Sequence, residues 1–378
     1  MSERDEQIGE RIALLRAAGN IRQTDIAALL AVDPSTVSKI ESGRRRLDGY
    51  ELALIAELLG TTSRELLGLP TRTAALAAAA RAAGSSPDPA LRRARELLEV
   101  DGIADQIGVA EPARPRRLHE LERPTNVAID DLAREARQHL GVGPLGGIAD
   151  LIGAVEHAFG LDVAIDSFGD SGPAGVLVQA GDEVALTVLN GDDRRTRQRF
   201  TLAHELGHWL LGDARPIIVD DPANPADQTE RRANRFASEL LMPAAALGDL
   251  FGNRPAIETF VGALVEYGVS KEALLIRVTE LDLIDDAAGS IIGSSLVRQL
   301  FARAGRSSDL DAWEVGLSAR VPARIERRLR VAYGDGKVGI GLMAQAFGVD
   351  VETLGARFDA EGLRQPHVEI DDDTLAAL

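Results

Sequence analysis

Apolar side chains three and four positions apart open the chain. Ile8, Ile12 and Leu15 form one helical stripe. Short helices are predicted after it over 24–30, 35–41, 49–59 and 62–67, with Gly19, Asp33-Pro34 and Gly43 as breaks. Thr62 and Glu65 have the spacing of a capping box. Residues 71–125 read as a linker, first rich in Ala and Arg and then in Pro, with one helical stretch over 90–98 and an extended run over 111–117. From 126 the pattern changes. Helices are predicted over 129–140 and 148–159, and strands over 161–165, 175–178 and 184–189, the last two forming a hairpin around 180–182. Helices over 196–211 and 229–241 follow, and Pro243 stops the second. The remainder, 256–378, is mostly helical. Its stretch 338–357 has a faint helix-turn-helix spacing, and its tail is acidic.

The helix predicted over 196–211 carries His204-Glu205-x-x-His208. On a helix, positions i and i+4 share a face, so both imidazoles reach one metal ion. Glu205 is rotated by about 100° from His204, which puts its carboxylate beside a metal-bound water rather than on the metal. Zinc in such a site lowers the pKa of that water and polarises a scissile carbonyl, while Glu205 relays the proton to the leaving amine. A catalytic zinc takes three protein ligands and leaves one position open. Glu230, on the following helix, is the candidate third ligand, and Asn234 one turn further is placed to orient a ligand. Two histidines and one carboxylate also suit manganese or another divalent ion. Tyr267 and His157 are candidates for oxyanion stabilisation by residue type alone. His119, His139 and His367 are isolated and read as structural or surface residues. The run Arg194-Arg-Thr-Arg197 reads as the solvated start of the motif helix, and Gly334–Lys337 as a turn.

The segment 23–43 fits two helices around a tight turn. Ile26, Ala27, Leu30, Val32, Val37 and Ile40 pack them together, Asp33 is placed to cap the second, and Pro34 suits its first turn. With that face buried, Ser35, Thr36 and Lys39 point outward where a recognition helix meets base edges. Gln23 is placed for a phosphate contact, and Arg44, Arg45 and Arg46 for further backbone contacts.

Two resemblances follow. Val188-Leu-Asn190, Arg199-Phe-Thr-Leu-Ala-His-Glu-Leu-Gly-His208 and Glu230-x-x-Ala-Asn-x-Phe-Ala-Ser-Glu-Leu-Leu-Met-Pro243 resemble the ImmA/IrrE family of bacterial metallopeptidases. The resemblance implies a zincin-like α+β domain with His204, His208 and Glu230 as ligands and Glu205 as the base. It also implies helix-turn-helix repressors as substrates, cut to release stress or mobile-element genes. Many members carry another His just past the motif, where this chain has Gly212-Asp213, to which no role is assigned. The segment 6–68 resembles the Cro/repressor-like (XRE) helix-turn-helix family.

Composition narrows the picture. The chain has 378 residues and 45 % hydrophobic content, enough for several domains with sizeable cores. Without cysteine there is no thiolate zinc site and no cysteine nucleophile. No signal peptide or membrane-length apolar run is visible, so a cytoplasmic protein is expected. A net charge of −17 argues against non-specific coating of nucleic acid. The acidity sits mainly at 126–284, with 25 acidic against 13 basic side chains, while residues 1–70 carry 11 against 9.

The expected architecture is multidomain and mostly α. It comprises an all-α helix-turn-helix domain at 1–70, a linker at 71–125, the metallopeptidase domain at 126–285 and a helical region of unassigned role at 286–378. The expected function is a transcriptional regulator, binding operator DNA as a homodimer, that cleaves a repressor or itself. The alternatives are a regulator whose zinc domain senses without cleaving, and an antitoxin-like DNA binder.

Overall fold

The computed structural model describes residues 3–19, 21–59, 61, 63–68, 89–110, 129–169, 172–180, 184–212, 217–219, 228–252 and 256–366. The capping-box Thr62, residues 181 and 182 of the hairpin turn, Asp213, His119 and His367 lie outside them.

The N-terminal bundle comprises α1 (Glu3–Ala18), α2 (Gln23–Leu29), α3 (Pro34–Glu41), α4 (Gly49–Leu58) and α5 (Ser63–Leu66). Ile12, Ile26, Val37, Ile55 and Leu66 form its closed apolar centre. Arg16 ties α1 to α3 through Glu41 at 2.6 Å. Asp33 occupies the N-cap of α3, but its side chain makes no capping bond, contrary to the expectation.

The larger body begins with α6 (Pro89–Gln106), α7 (Ile129–His139) and α8 (Leu151–Phe159). Strands β1 (Asp162–Asp166), β2 (Gly175–Ala180) and β3 (Val184–Asn190) follow, then α9 (Arg195–Leu211), β4 (Ile217–Val219) and α10 (Gln228–Leu241). Beyond them come α11 (Ala244–Phe251), α12 (Ala256–Tyr267), α13 (Lys271–Glu280), α14 (Asp286–Ser294), α15 (Val297–Arg303) and α16 (Leu310–Glu314). The last three are α17 (Ala323–Gly334), α18 (Ile340–Phe347) and α19 (Val351–Glu361). The sheet has the order β1-β3-β2-β4, with β1 parallel to β3 and the other pairs antiparallel. The short edge strand β4 was not expected.

The sheet is apolar on both faces. Along β1 and β3, Val163, Ile165, Ala185 and Leu189 enter the core shared with α9 and α10, while Ala164, Leu186 and Val188 enter a second core. Such a sheet needs cover on each side. On the first side it is α9, with α8 against β1; on the second it is α6 and α17, with α18 packed on α6. This changes the expected organisation in two places. Part of the segment read as a linker is a long helix whose Ala94, Leu97 and Leu98 are wholly buried. The region after 285, whose role the sequence left open, packs on the same sheet: Arg320 pairs backbone to backbone with Ile165 on the edge of β1, and α17 covers the second face.

Ion pairs hold this second layer. Asp101 of α6 is fully buried and accepts hydrogen bonds from Arg324, at 3.0 and 2.8 Å, and from Arg328. Arg324 also bonds Asp162 of β1 at 2.6 Å. Burial works against the charge on Arg324, but its bonds to Asp162 and Asp101 outweigh that and raise its pKa. Removing one partner strands the others in a dry interior. Asp101→Ala is therefore expected to cost on the order of 3–5 kcal/mol in urea unfolding. A loss below about 1 kcal/mol, the value of an exposed pair, would contradict this role.

Candidate metal centre

The centre is built on α9. Every residue from Thr201 to Leu210 is buried, so this helix is packed on all sides. It ends at Gly212, whose φ of +67° places it in the left-handed region and lets its N–H bond the His208 carbonyl. Gly212, assigned no role from sequence, is thus the helix terminator. His204 and His208 lie one turn apart and are 3 % and 1 % exposed; Glu205 between them is fully buried. Glu205 faces the start of β2, where a Cβ on Gly175 would stand 3.6 Å from its Oε1 and 2.6 Å from Thr201 Cγ2. The absent side chain at 175 is what lets the strand lie against this part of the helix.

The third group arrives on α10, which packs directly on α9. Their approach is close at Gly207: a Cβ there would meet Phe236 Cδ1 at 2.9 Å and Ala233 Cα at 3.4 Å. Phe236 and Ala233 are fully buried and cannot yield. This contact carries Glu230 to the histidines. Its Oε2 stands 3.2 Å from His204 Nε2 and its Oε1 3.4 Å from His208 Nε2, and the two Nε2 atoms are 2.9 Å apart. Among the described residues this is the only group of three such side chains within metal-ligand reach.

The donor set fits a metal ion. Ligand atoms about 2.0–2.1 Å from a tetrahedral zinc stand roughly 3.3–3.4 Å from one another, close to the two carboxylate spacings. Asn234 Oδ1 lies 2.9 Å from His204 Nδ1. With that nitrogen donating to the amide oxygen, the Nε2 lone pair is left facing the centre. Two imidazole nitrogens and a carboxylate converging in a buried space call for a cation among them. Without a metal, a proton on His204 Nε2 hydrogen-bonds Glu230 and holds its carboxyl below its ordinary pKa, against the opposing effect of burial; a metal ion would take the place of that proton.

The other candidates lie elsewhere. Tyr267 is buried and donates its hydroxyl to the Leu145 carbonyl at 3.1 Å. His157 is exposed on α8, and His139 is exposed and stacks on Phe159. Neither oxyanion candidate is thus marked out by its setting. In the run before the motif, Arg194 occupies the helix N-cap and Arg197 pairs with Asp193; in the separate turn at 335–337, Lys337 pairs with Asp335. Sequence reasoning missed Arg199. It is buried within α9 and donates to the Ile148 carbonyl at 2.7 Å and the Tyr267 carbonyl at 3.2 Å.

In the N-terminal bundle, Ser35 and Lys39 are exposed on α3, and Thr36 is half-buried in its first turn. Arg44 is exposed beyond the helix. Three of the predicted DNA-contact residues have partners inside the domain: Gln23 bonds Glu41 at 2.6 Å, Arg45 bonds Glu51 at 2.6 Å, and Arg46 bonds Asp5 at 3.2 Å.

Residues 158–279 match the family model of the IrrE N-terminal-like domain, a peptidase family, and residues 12–66 match that of the helix-turn-helix domain. The two matches agree with the expected fusion and support a DNA-binding regulator with a peptidase-like domain. No curated protein matches the chain. No described helix is long and apolar enough to cross a membrane.

Asn234 touches His204 without belonging to the three-residue cluster. Its replacement by Ala is expected to weaken zinc affinity about 10- to 100-fold while the melting curve of the metal-free protein stays close to wild type. Competition against a chromogenic chelator reads this. Unchanged affinity would remove Asn234 from the centre.

Proposed function

We propose that this chain is a DNA-binding regulator that hydrolyses a peptide bond in a regulatory protein, with His204, His208 and Glu230 holding a zinc ion and Glu205 acting as the base. The observation that carries the reading is the convergence of two imidazole Nε2 atoms and one carboxylate, with a fully buried Glu205 next to His204 in the chain. A closed structural zinc site takes four protein ligands and has no need of Glu205. Zinc, or manganese in its place, supplies a Lewis acid for the scissile carbonyl and an activated water. Glu205 takes a proton and returns it to the leaving amine. Asn234 orients His204, and burial keeps bulk water from competing for these groups.

The substrate is a repressor or the chain itself. For self-cleavage, the stretch 89–106 is a poor target because its apolar face is buried in the second core. Val109 is packed into the same core, which leaves 71–88 and 111–125 of the segment first read as a linker.

In the DNA-binding half, Ser35, Thr36 and Lys39 are proposed to face the bases, with Arg44 on a phosphate. Arg45, Arg46 and Gln23 would have to exchange their internal partners to join them.

Two experiments test the halves separately. Wild type and Glu205→Gln are loaded with zinc and incubated alone and with candidate repressors. Equal metal content with cleavage falling at least about 10²-fold in the variant supports the reading. Equal metal content with no cleavage by either favours a regulator whose zinc domain senses without cutting, while equal cleavage by both rules out Glu205 as the base. On duplex DNA, Arg44→Ala is expected to lower affinity at every sequence and reduce the salt slope by about 1. Arg46→Ala, whose guanidinium already pairs with Asp5, should change it less. Equal losses would reject this division of roles.

A further inference from the structure

Arg195 and Arg199 stand one turn apart at the start of α9. Both line a cleft of about 300 Å³ between α9, the end of α12 and the stretch 306–313. Thr196, Arg306, Ser308 and Trp313 also face it. An adjoining hollow of about 240 Å³ shares both arginines and adds Gln198 and Leu317.

The charge in this cleft is not balanced. Arg199 is 5 % exposed, and its Nε is buried without a hydrogen-bond partner. Among the described residues, neither Arg195 nor Arg199 forms an ion pair with a carboxylate. Burial and the neighbouring Arg195 lower the Arg199 pKa to about 10, and the charge of Asp150 offsets this only in part. The neighbouring acids are engaged elsewhere. Asp150 caps α8 through the Gly153 N–H, Glu266 accepts from the Gly147 N–H, and Asp309 pairs with Arg306. Three arginines thus share the cleft with two carboxylates, Glu266 and Asp309, and among the described residues only Arg306 forms an ion pair with one of them.

We propose that this cleft binds a small-molecule anion, whose carboxylate or phosphate group supplies the missing counter-charge to Arg195 and Arg199. Arginine suits both groups because its N–H donors match their paired oxygens. Trp313 and Val265 give the cleft an apolar side for the rest of the ligand. The site also has a mechanical consequence. Gln198, between the two arginines, already bonds the Asn190 carbonyl and the Leu317 N–H, joining the motif helix to the C-terminal stretch. An anion held there would tighten the same joint, at the opposite end of the helix that bears His204 and His208. The proposal does not depend on peptidase activity.

The test uses the full chain, with inorganic phosphate and citrate as probes and sodium chloride at matched ionic strength as the control. The expected result is a saturable rise in melting temperature with at least one probe. A response to phosphate alone identifies phosphate ligands, to citrate alone carboxylates, and to both a site that reads charge. Arg195→Gln, which breaks no hydrogen bond among described residues, should weaken the apparent affinity at least tenfold. Ala312→Glu, on the exposed rim, should raise the melting temperature without probe and blunt the response. The proposal is overturned if neither probe exceeds the chloride control, or if both variants respond as wild type does.

Discussion

The close crossing of α9 and α10 at Gly207 is the constraint on which the centre depends. A Cβ there would stand 2.9 Å from the buried Phe236 ring, which would have to shift to admit it. Because α10 lies this near, a side chain as short as Glu230 reaches both histidines, and Asn234, one turn along, reaches the outer nitrogen of His204. A larger residue at 207 would separate the helices and pull the third ligand away, even with all three ligands intact. The candidate metal site is therefore a property of a helix pair, and the glycine belongs to it as much as the histidines do.

That helix pair is in turn held against a sheet buried on both faces. The first face is covered by α9, close to its own strands in sequence. The second is covered by α6 and α17, more than 200 residues apart in the chain and joined through Asp101, Arg324 and Arg328. The peptidase-family match at 158–279 spans the sheet and the metal residues but none of this second layer. The C-terminal region thus has a structural role, closing the fold behind the centre.

Much of this was legible in the sequence because it is local. The motif spacing, the strand patterns at 161–165, 175–178 and 184–189, and the helical stripes of the N-terminal bundle each depend on neighbours a few residues away. What was missed depends on distant contacts. The apolar runs of β2 and β3, Gly-Val-Leu-Val and Val-Ala-Leu-Thr-Val-Leu, already signalled two covered faces, but not which segments would cover them. The strand β4 is three residues long, too short for a period to register. The partners of Gln23, Arg45 and Arg46 could not be read from a charge run. Nor could the setting of Arg199, which donates to the Ile148 and Tyr267 carbonyls and forms no ion pair among the described residues.

The central claim is a metal ion held by two histidines and one carboxylate, with room for a reacting group. X-ray absorption at the zinc edge of the reconstituted full-length protein tests it most directly. One zinc per chain, with two imidazole nitrogens and light oxygen donors that include exchangeable water, is the predicted result. Three or more imidazoles, a shell filled by protein ligands alone, or a failure to retain zinc would contradict it.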